Sequence, residues 1–242
     1  MAITDLLGKL KQINNSNVVE VFVPSQNRIV KFKQLSVKQQ KELIKTSLDG
    51  ALAGVTLGSA LNMIVSENAI DCDVFNVFDR APIILSLRQQ SFGSTYTEGD
   101  AVVDLNEITQ KQYVINVPFA STINLEDEIS IDLEVPSLQC DTKINEVVAT
   151  QLKKTQDVNL GDAVGSLYLY EIVKFIKKVK VASDVAVFDD YVVADQLKII
   201  ENLPAKIINQ VVDFIQQFRT LETDYLTIEQ TVVSLDARMF TR

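Results

Sequence analysis

The sequence predicts an α+β fold in which strands and helices occupy separate stretches of the chain. Two β-branched runs separated by a turn lie near the start, and alternation of apolar and polar residues returns in the middle. Apolar residues at helical spacing dominate the C-terminal part. We therefore expect an N-terminal β-hairpin with helices, a β-rich middle segment and a largely helical C-terminal half.

The first predicted element is a β-hairpin. Val18–Val23 reads VVEVFV, a β-branched strand, and Pro24 with the polar residues after it supplies a turn. Arg28–Lys33 reads RIVKFK and returns as the second strand. Because side chains alternate along a strand, Val30 and Phe32 are expected to share one face.

Two helices are predicted in the following stretch from their end signals. Ser36 and Gln39 have the spacing of a capping box, which indicates a helix start. Pro82 lies in the first turn of a second helix, and Gly93 lies beyond its end. The apolar stripes consist of Leu43, Ile44 and Leu48 in the first helix and of Ile83, Ile84 and Leu87 in the second.

Three glycines spaced four residues apart, Gly50, Gly54 and Gly58, fall between these helices. On a helix they would share one face and permit close backbone approach. We expect tight helix packing inside the protein, because the longest uncharged run, residues 50–66, is too short and too polar for a membrane span.

The stretch 94–140 changes to strand-like character. Gly99-Asp100 supplies a turn signal, and Tyr113–Phe119 and Glu128–Pro136 show period-two alternation. These two segments predict a half-exposed antiparallel pair. The apolar face of the second segment consists of Ile129, Ile131, Leu133 and Val135.

The remainder of the chain is predicted to be mainly helical. One apolar stripe includes Ile144, a longer one runs from Val164 to Val179, and a third helix starts at Leu203-Pro204. The tail from residue 226 to residue 240 could return as a strand. Four lysines near the end of the second stripe suit the negative end of a helix dipole: Lys174, Lys177, Lys178 and Lys180.

These patterns predict three regions. Residues 1–93 form the hairpin–helix region, residues 94–140 a β-rich insertion and residues 141–242 a helical region. The first and third regions could pack together as one domain.

Composition excludes several classes of function. The net charge of −9 argues against a general nucleic-acid binder, which needs a basic face. The absence of histidine removes the commonest general base and zinc ligand. Cys72 and Cys140 are far apart, so free thiols in a reducing compartment are expected. The N-terminus lacks the pattern of a signal peptide, and we expect no membrane insertion.

Two acidic stretches are candidates for chemistry, and neither has the required pattern. The cluster Asp71, Asp73, Asn76 and Asp79 lacks the glycine and the terminal glutamate of a calcium loop. We interpret it as a polar loop with helix-capping aspartates. Residues 125–128, LEDE, are typical of a solvated acidic face. Phosphate-binding and nucleophile motifs are missing from the sequence, so neither a cofactor nor a metal is expected.

Several segments share packing and capping patterns with one protein family. Pro24-Ser25 ends a strand, Phe32 lies near the end of the next strand, and Leu35–Lys41 reads LSVKQQK at a helix start. Later segments with matching patterns are Phe78–Arg88, Leu167–Val179, Ile199–Phe218 and Ser234–Phe240. Together they resemble the T4-type baseplate protein family of contractile-tailed phages, which includes a baseplate hub subunit and a hub assembly catalyst.

The resemblance implies a non-enzymatic structural or assembly protein of the baseplate hub that acts through protein–protein contacts. Its implied partners are other hub proteins and the tape-measure protein, with an oligomer inside the assembly and no nucleic acid. The implied locations are the virion tail baseplate and the host cytoplasm during assembly. Two alternatives stay open: a transient hub or tape-measure chaperone absent from the mature virion, and a carboxylate-based cell-wall hydrolase.

The final long helix and the tail carry more apolar surface than one helix stripe needs. We therefore predict that this part of the chain contributes to a partner interface. The candidate partner-binding residues are Leu203, Phe214, Phe218, Tyr225 and Phe240.

Overall fold

The chain folds into two compact units. The computed structural model describes residues 3–46, 53–72, 74–111, 119–125, 128–154 and 160–241. Unit 1 comprises Met1–Tyr113 and Thr223–Arg242, and unit 2 comprises Val114–Glu222. These boundaries cut across the predicted regions, because the first hairpin of the β-rich stretch belongs to unit 1 and its later strands belong to unit 2.

The elements confirm the predicted α+β class, since helices are combined with small antiparallel sheets. The first part of unit 1 contains α1 Ile3–Ser16, β1 Val18–Val23, β2 Arg28–Lys33, α2 Val37–Thr46, α3 Ala53–Asn68, α4 Arg80–Phe92, β3 Thr95–Glu98, β4 Ala101–Asp104 and α5 Asn106–Thr109. Unit 2 contains β5 Ala120–Leu125, β6 Ile129–Glu134, α6 Leu138–Lys154, α7 Leu160–Phe175, β7 Ile176–Val181, β8 Asp184–Val187, α8 Val193–Glu201 and most of α9 Ala205–Leu226. Unit 1 then resumes with the end of α9, β9 Thr227–Ile228, β10 Thr231–Val232 and a 3₁₀ turn at Ala237–Phe240.

The predicted N-terminal hairpin is confirmed. Strands β1 and β2 pair antiparallel, with Val21 opposite Val30 and Val19 opposite Phe32. Val30 and Phe32 are fully buried on the inner face of the hairpin, and α4 packs against β1. The ring of Phe75 lies 5.7 Å from the ring of Phe32 and extends this core.

The capping box at the start of α2 is also confirmed. The Ser36 backbone N–H donates to Gln39 Oε1 at 3.0 Å, and the Gln39 N–H donates to Ser36 Oγ at 3.2 Å. Each side chain therefore satisfies a backbone donor that the first helical turn leaves open. Helix α4 ends as predicted before Gly93, whose φ of 86° suits a glycine.

The prediction of close helix packing at the glycine series is wrong at Gly54. Among the described residues, a Cβ atom added to Gly54 would meet no atom of another element within 4 Å, so no neighbouring backbone of that part of the chain comes close there. Gly50 lies outside the described residues, and α3 begins only at Ala53. Within the described part of the chain, none of the helices is long and apolar enough for a membrane crossing.

Two short hairpins complete unit 1. Strands β3 and β4 pair around the turn at Gly99, where φ is 59°. In the tail, β9 and β10 contribute only two residue pairs before the 3₁₀ turn. The tail therefore returns as a tight hairpin and turn, where the sequence suggested one strand.

Unit 2 is built around an antiparallel sheet of order β5-β6-β7-β8. The buried face of β6 carries Ile131 and Leu133, as its alternation predicted. The partner of β6 is Ala120–Leu125, which follows the predicted partner segment. Residues 113–118 of that predicted segment lie outside the described residues.

The prediction that the helical stripe continues to Val179 is wrong. Helix α7 ends at Phe175, and Ile176–Val181 forms β7 between β6 and β8. Pairing on both sides of β7 outweighs the local helical spacing, because it satisfies the backbone groups of the central strand. Three of the four lysines therefore lie on a strand, and their predicted interaction with a helix dipole is withdrawn: Lys177, Lys178 and Lys180.

Helices α6 and α7 are joined by a buried polar network. Lys174 Nζ lies 2.7 Å from Asp141 Oδ1 and 3.3 Å from Glu171 Oε2, and it donates to Asn145 Oδ1 at 2.9 Å. Arg219 of α9 donates to Glu171 at 2.7 Å and extends the network. Because several oxygens surround the single ammonium, the buried charge of Lys174 is compensated.

Both cysteines are free thiols, in agreement with the prediction. Cys72 and Cys140 are half-buried and belong to different units. Burial, with Asp189 and Asp141 nearby, raises the pKa of the Cys140 thiol.

Candidate partner-binding surface

The turn of the N-terminal hairpin is fixed by a buried carboxylate. Pro24–Gln26 forms a 3₁₀ turn that ends at Asn27 in the left-handed conformation. Asp79, at the start of α4, accepts from the Ser25 N–H at 2.9 Å and from Ser25 Oγ at 2.5 Å. It also accepts from the Asn76 N–H at 2.9 Å. The hairpin turn is thus tied to the start of α4.

Asp79 is completely buried, so its protonation is coupled to this contact. Burial raises the pKa of Asp79, and the hydrogen bonds from Ser25 and Asn76 lower the pKa without reversing that shift. Its partners are a hydroxyl and backbone N–H groups, and Asp79 therefore links structural elements.

The rest of the acidic cluster serves the same purpose. The Lys31 N–H donates to Asp71 Oδ1 at 3.1 Å, and the Ile70 N–H donates to the Lys31 carbonyl at 2.9 Å. The Gln26 side chain donates to the Val74 carbonyl at 3.0 Å. Asp73 lies outside the described residues. The described residues of the cluster hold the 70–79 loop against the hairpin.

The tail of the chain is attached to the same unit through two side chains. Gln40 Nε2 donates to the Phe240 carbonyl at 2.7 Å, and Arg88 Nε donates to the Met239 carbonyl at 3.2 Å. Arg88 also donates to the carbonyls of Gly93 and Thr95. Segments from both ends of the chain that carry the family resemblance therefore meet inside unit 1.

Arg88 is buried among neutral acceptors and an aromatic ring. Its guanidinium lies 5.5 Å from the centre of the Tyr96 ring, and burial lowers its pKa. Burial, followed by the charges of Asp236 and Glu98, raises the pKa of Tyr96 to about 12. Tyr96 is therefore neutral at physiological pH, and its ring packs against the Arg88 guanidinium as part of the interior.

The opposite face of the hairpin is open and partly apolar. We call Val18, Glu20, Phe22, Ile29 and Lys31 the outer face. Phe22 lies directly across the strands from Ile29, and these side chains are 45% and 58% exposed. Val18 is exposed as well. Cross-strand pairs of this kind usually pack under a neighbouring layer, so the outer face is the leading candidate for partner contact.

The predicted partner-binding residues occupy mainly interior positions. Phe214 and Phe218 pack around Phe175 in unit 2, with ring distances of 6.2 and 5.6 Å. Tyr225 packs against Phe78 in unit 1, at 6.1 Å, and is buried. The remaining two residues are Phe240, which is fully buried in unit 1, and Leu203, which is half-buried before α9. Their partner-binding role stays a prediction.

An open cavity of about 690 Å³ lies against the sheet of unit 2. Its lining includes Asp132, Glu134, Asp189, Lys177 and Lys178. Lys177 Nζ is 2.9 Å from Asp189 Oδ2 and 4.0 Å from Glu134 Oε2. Partial burial opposes the charge of Lys177, but the hydrogen bond and charge of Asp189 outweigh it and raise the Lys177 pKa. The lining thus combines three carboxylates with two lysines, and Lys177 pairs with two of the carboxylates.

Comparison with protein families identifies the chain. The family described as T4 bacteriophage base plate protein matches residues 15–229, which is most of the chain. The chain belongs to the T4 bacteriophage base plate protein family. Searches of curated proteins and of solved structures found no match. The family match confirms the resemblance inferred from the sequence.

Membership of the T4 baseplate family establishes a structural protein of a phage tail baseplate, with protein partners within that baseplate. Two of the segments that carried the resemblance, Pro24-Ser25 and Phe78–Arg88, contain the Ser25–Asp79 contact. These segments tie the hairpin turn to the start of α4 in unit 1, and the outer face stays exposed.

Sequence reasoning missed the outer face, although the alternation indicated it. Because Val21 and Val23 face inward, Phe22 must face outward, and the hairpin register then places Ile29 beside it. An apolar pair at two outward positions was the available signal.

Proposed function

We propose that the chain is a non-enzymatic subunit of the baseplate hub and that the outer face of its hairpin contacts other hub proteins. The observation that supports this proposal is the exposed pair Phe22 and Ile29, which lies on a hairpin whose inner face is buried. Aromatic and aliphatic side chains on a rigid support lose little conformational entropy on binding, so they suit an interface.

The structure supports a rigid platform under that face. The inner side of the hairpin is buried, and the turn is bonded to Asp79. The other edge of β2 is bonded to the 70–71 segment through Lys31. A partner would therefore meet a preformed surface, which is the usual case for stable complexes.

The non-enzymatic part of the proposal has separate support. The chain contains no histidine, and the cavity against the sheet of unit 2 pairs its carboxylates with lysine. Among the described residues, side chains with metal-binding chemistry do not gather in groups of three or more. These observations favour protein contact over catalysis.

The proposal is tested by replacing the outer-face pair during infection. Phe22→Glu with Ile29→Glu is expected to abolish copurification with hub proteins, because it places charge in an apolar contact. Val102→Glu on β4 is a matched control, since Val102 is 71% exposed on a different hairpin. Circular dichroism and thermal unfolding check that both variants fold. Normal copurification of the folded double variant would contradict the proposed surface.

A comparison of hub intermediates with finished particles separates a permanent subunit from a transient chaperone for the hub or the tape-measure protein. A subunit is expected in the hub intermediates and in finished particles. A chaperone would bind intermediates through the same face and leave before the particle is complete.

A further inference from the structure

Helix α1 presents an unpartnered apolar stripe. Ile3, Leu6, Leu7 and Leu10 have the spacing of one helix face. Their exposed fractions run from 43% for Leu6 to 75% for Ile3, and every side chain from residue 3 to residue 10 is exposed. An amphipathic helix of this kind gains its stability by burying such a stripe, so α1 needs a cover.

The outer face is a second unpartnered apolar surface in the same unit. Glu20 and Lys31 on that face lie 3.8 Å apart as an exposed ion pair, so the two charges offset each other. The apolar residues around them, Val18, Phe22 and Ile29, remain available for contact.

The two surfaces match in length. From Ile3 to Leu10 the stripe extends about 10 Å at the rise of an α-helix. From Val18 to Phe22 the outer face extends about 13 Å at the rise of a strand. One α1 helix is therefore long enough to cover one outer face.

Helix α1 contacts β2 of its own chain, but the short link keeps the stripe away from the outer face, and both surfaces stay exposed. Only Asn17 separates Ser16 from Val18. A helix that folds back over the following strand needs a connection of several residues. The stripe can therefore reach an outer face only on another molecule.

We propose that two copies of the chain pair by exchanging α1, so that each helix covers the outer face of the other copy. A stable interface buries roughly 800 Å² per partner, more than one short helix supplies. A two-fold exchange makes the same contact twice and doubles the buried area. This inference rests on the proposed function in one respect, since it names a second copy of this hub subunit as the hub partner that the outer face contacts.

The first test is the mass of the purified protein as a function of concentration, measured by analytical ultracentrifugation. A reversible monomer–dimer equilibrium is expected. Leu6→Glu with Leu7→Glu, and separately Phe22→Glu with Ile29→Glu, should each raise the dimer Kd by roughly ten-fold or more. Val102→Glu should leave it unchanged. A wild-type protein that is monomeric at every concentration would overturn the proposal.

Mixing the two double variants tests the exchange itself. The mixed pair keeps one intact contact, between the helix of the face variant and the face of the helix variant. It should therefore dimerise more tightly than either variant alone and more weakly than the wild type, which keeps both contacts. If the face variant dimerises normally by itself, the helices pair with each other and the exchange is refuted. The milder Phe22→Ala with Ile29→Ala variant keeps the test valid if the glutamate variant misfolds.

The outcomes also separate this inference from the proposed function. A monomeric wild-type protein whose face variant still fails to join the hub refutes the exchange and supports the hub contact. A dimer formed by exchange, combined with normal hub incorporation of the face variant, supports the exchange and refutes the hub contact.

Discussion

At the scale of single residues, Asp79 is a buried carboxylate whose hydrogen bonds join two structural elements. Its carboxylate accepts hydrogen bonds from Ser25 and Asn76, and so connects the hairpin turn to the start of α4. Serine supplies both a backbone and a side-chain donor to one carboxylate. This gives a physical reason for the Pro-Ser pair at the end of β1.

The pKa of Asp79 predicts a pH-dependent stability. Burial raises the pKa of Asp79 in the folded state, whereas in the unfolded chain this pKa is about 3.9. Between these two pKa values the folded state binds more protons, so the contribution of Asp79 to the free energy of unfolding falls as pH rises. Urea unfolding from acid to neutral pH should show wild type losing stability relative to Asp79→Asn as pH increases. A difference that grows in the opposite direction would contradict this assignment.

Phe240 and Phe22 should respond differently to truncation. Phe240 is fully buried, so Phe240→Ala is expected to cost about 3–5 kcal/mol. Phe22 is 45% exposed, so Phe22→Ala should cost less than about 1 kcal/mol. Urea unfolding of the two variants measures both values. Equal costs would show that the outer face is part of the core.

At the scale of elements, the helix–strand junction at residue 175 shows what the sequence could and could not predict. The hairpin, the capping box and the antiparallel character of β6 followed from local spacing. The end of α7 did not follow from local spacing. Ile176–Val181 becomes a strand because it pairs with β6, which lies far earlier in the chain, and with β8, which follows it. The local spacing of apolar residues does not show which strands will pair.

The candidate site was also predictable from the sequence only in part. The sequence predicted that Phe214, Phe218 and Tyr225 are apolar contact residues, but aromatic side chains look alike whether they pack inside or outside. Phe175 packs against the first two and Phe78 packs against Tyr225, and their partner-binding role stays a prediction. Only the register of β1 and β2 revealed which apolar pair faces outward.

The polar network between α6 and α7 should be essential for unit 2. Lys174→Met leaves the Asp141 carboxylate buried without its cation, and a cost of about 3–5 kcal/mol is expected. Lys198→Met is a matched control, because its ion pair with Asp195 is exposed and should leave the unfolding midpoint unchanged. Thermal or urea unfolding of the two variants measures the difference. Similar midpoints for both variants would mean that the buried network contributes little.

At the scale of the whole molecule, unit 1 is assembled from both ends of the chain. Its first part ends at Tyr113 and its second part begins at Thr223, with unit 2 between them. The carbonyls that Gln40 and Arg88 bind belong to Phe240 and Met239. Unit 1 therefore cannot complete these hydrogen bonds until Met239 and Phe240 have been synthesised.

We propose that this member of the T4 baseplate family is a subunit of the hub. Quantitative mass spectrometry of purified phage particles, set against hub intermediates from infected cells, tests it most directly. The chain is expected in particles at a fixed ratio to known hub proteins. Abundance in intermediates with absence from particles would contradict the subunit claim and indicate a transient assembly factor, and absence from both would contradict any role in the hub.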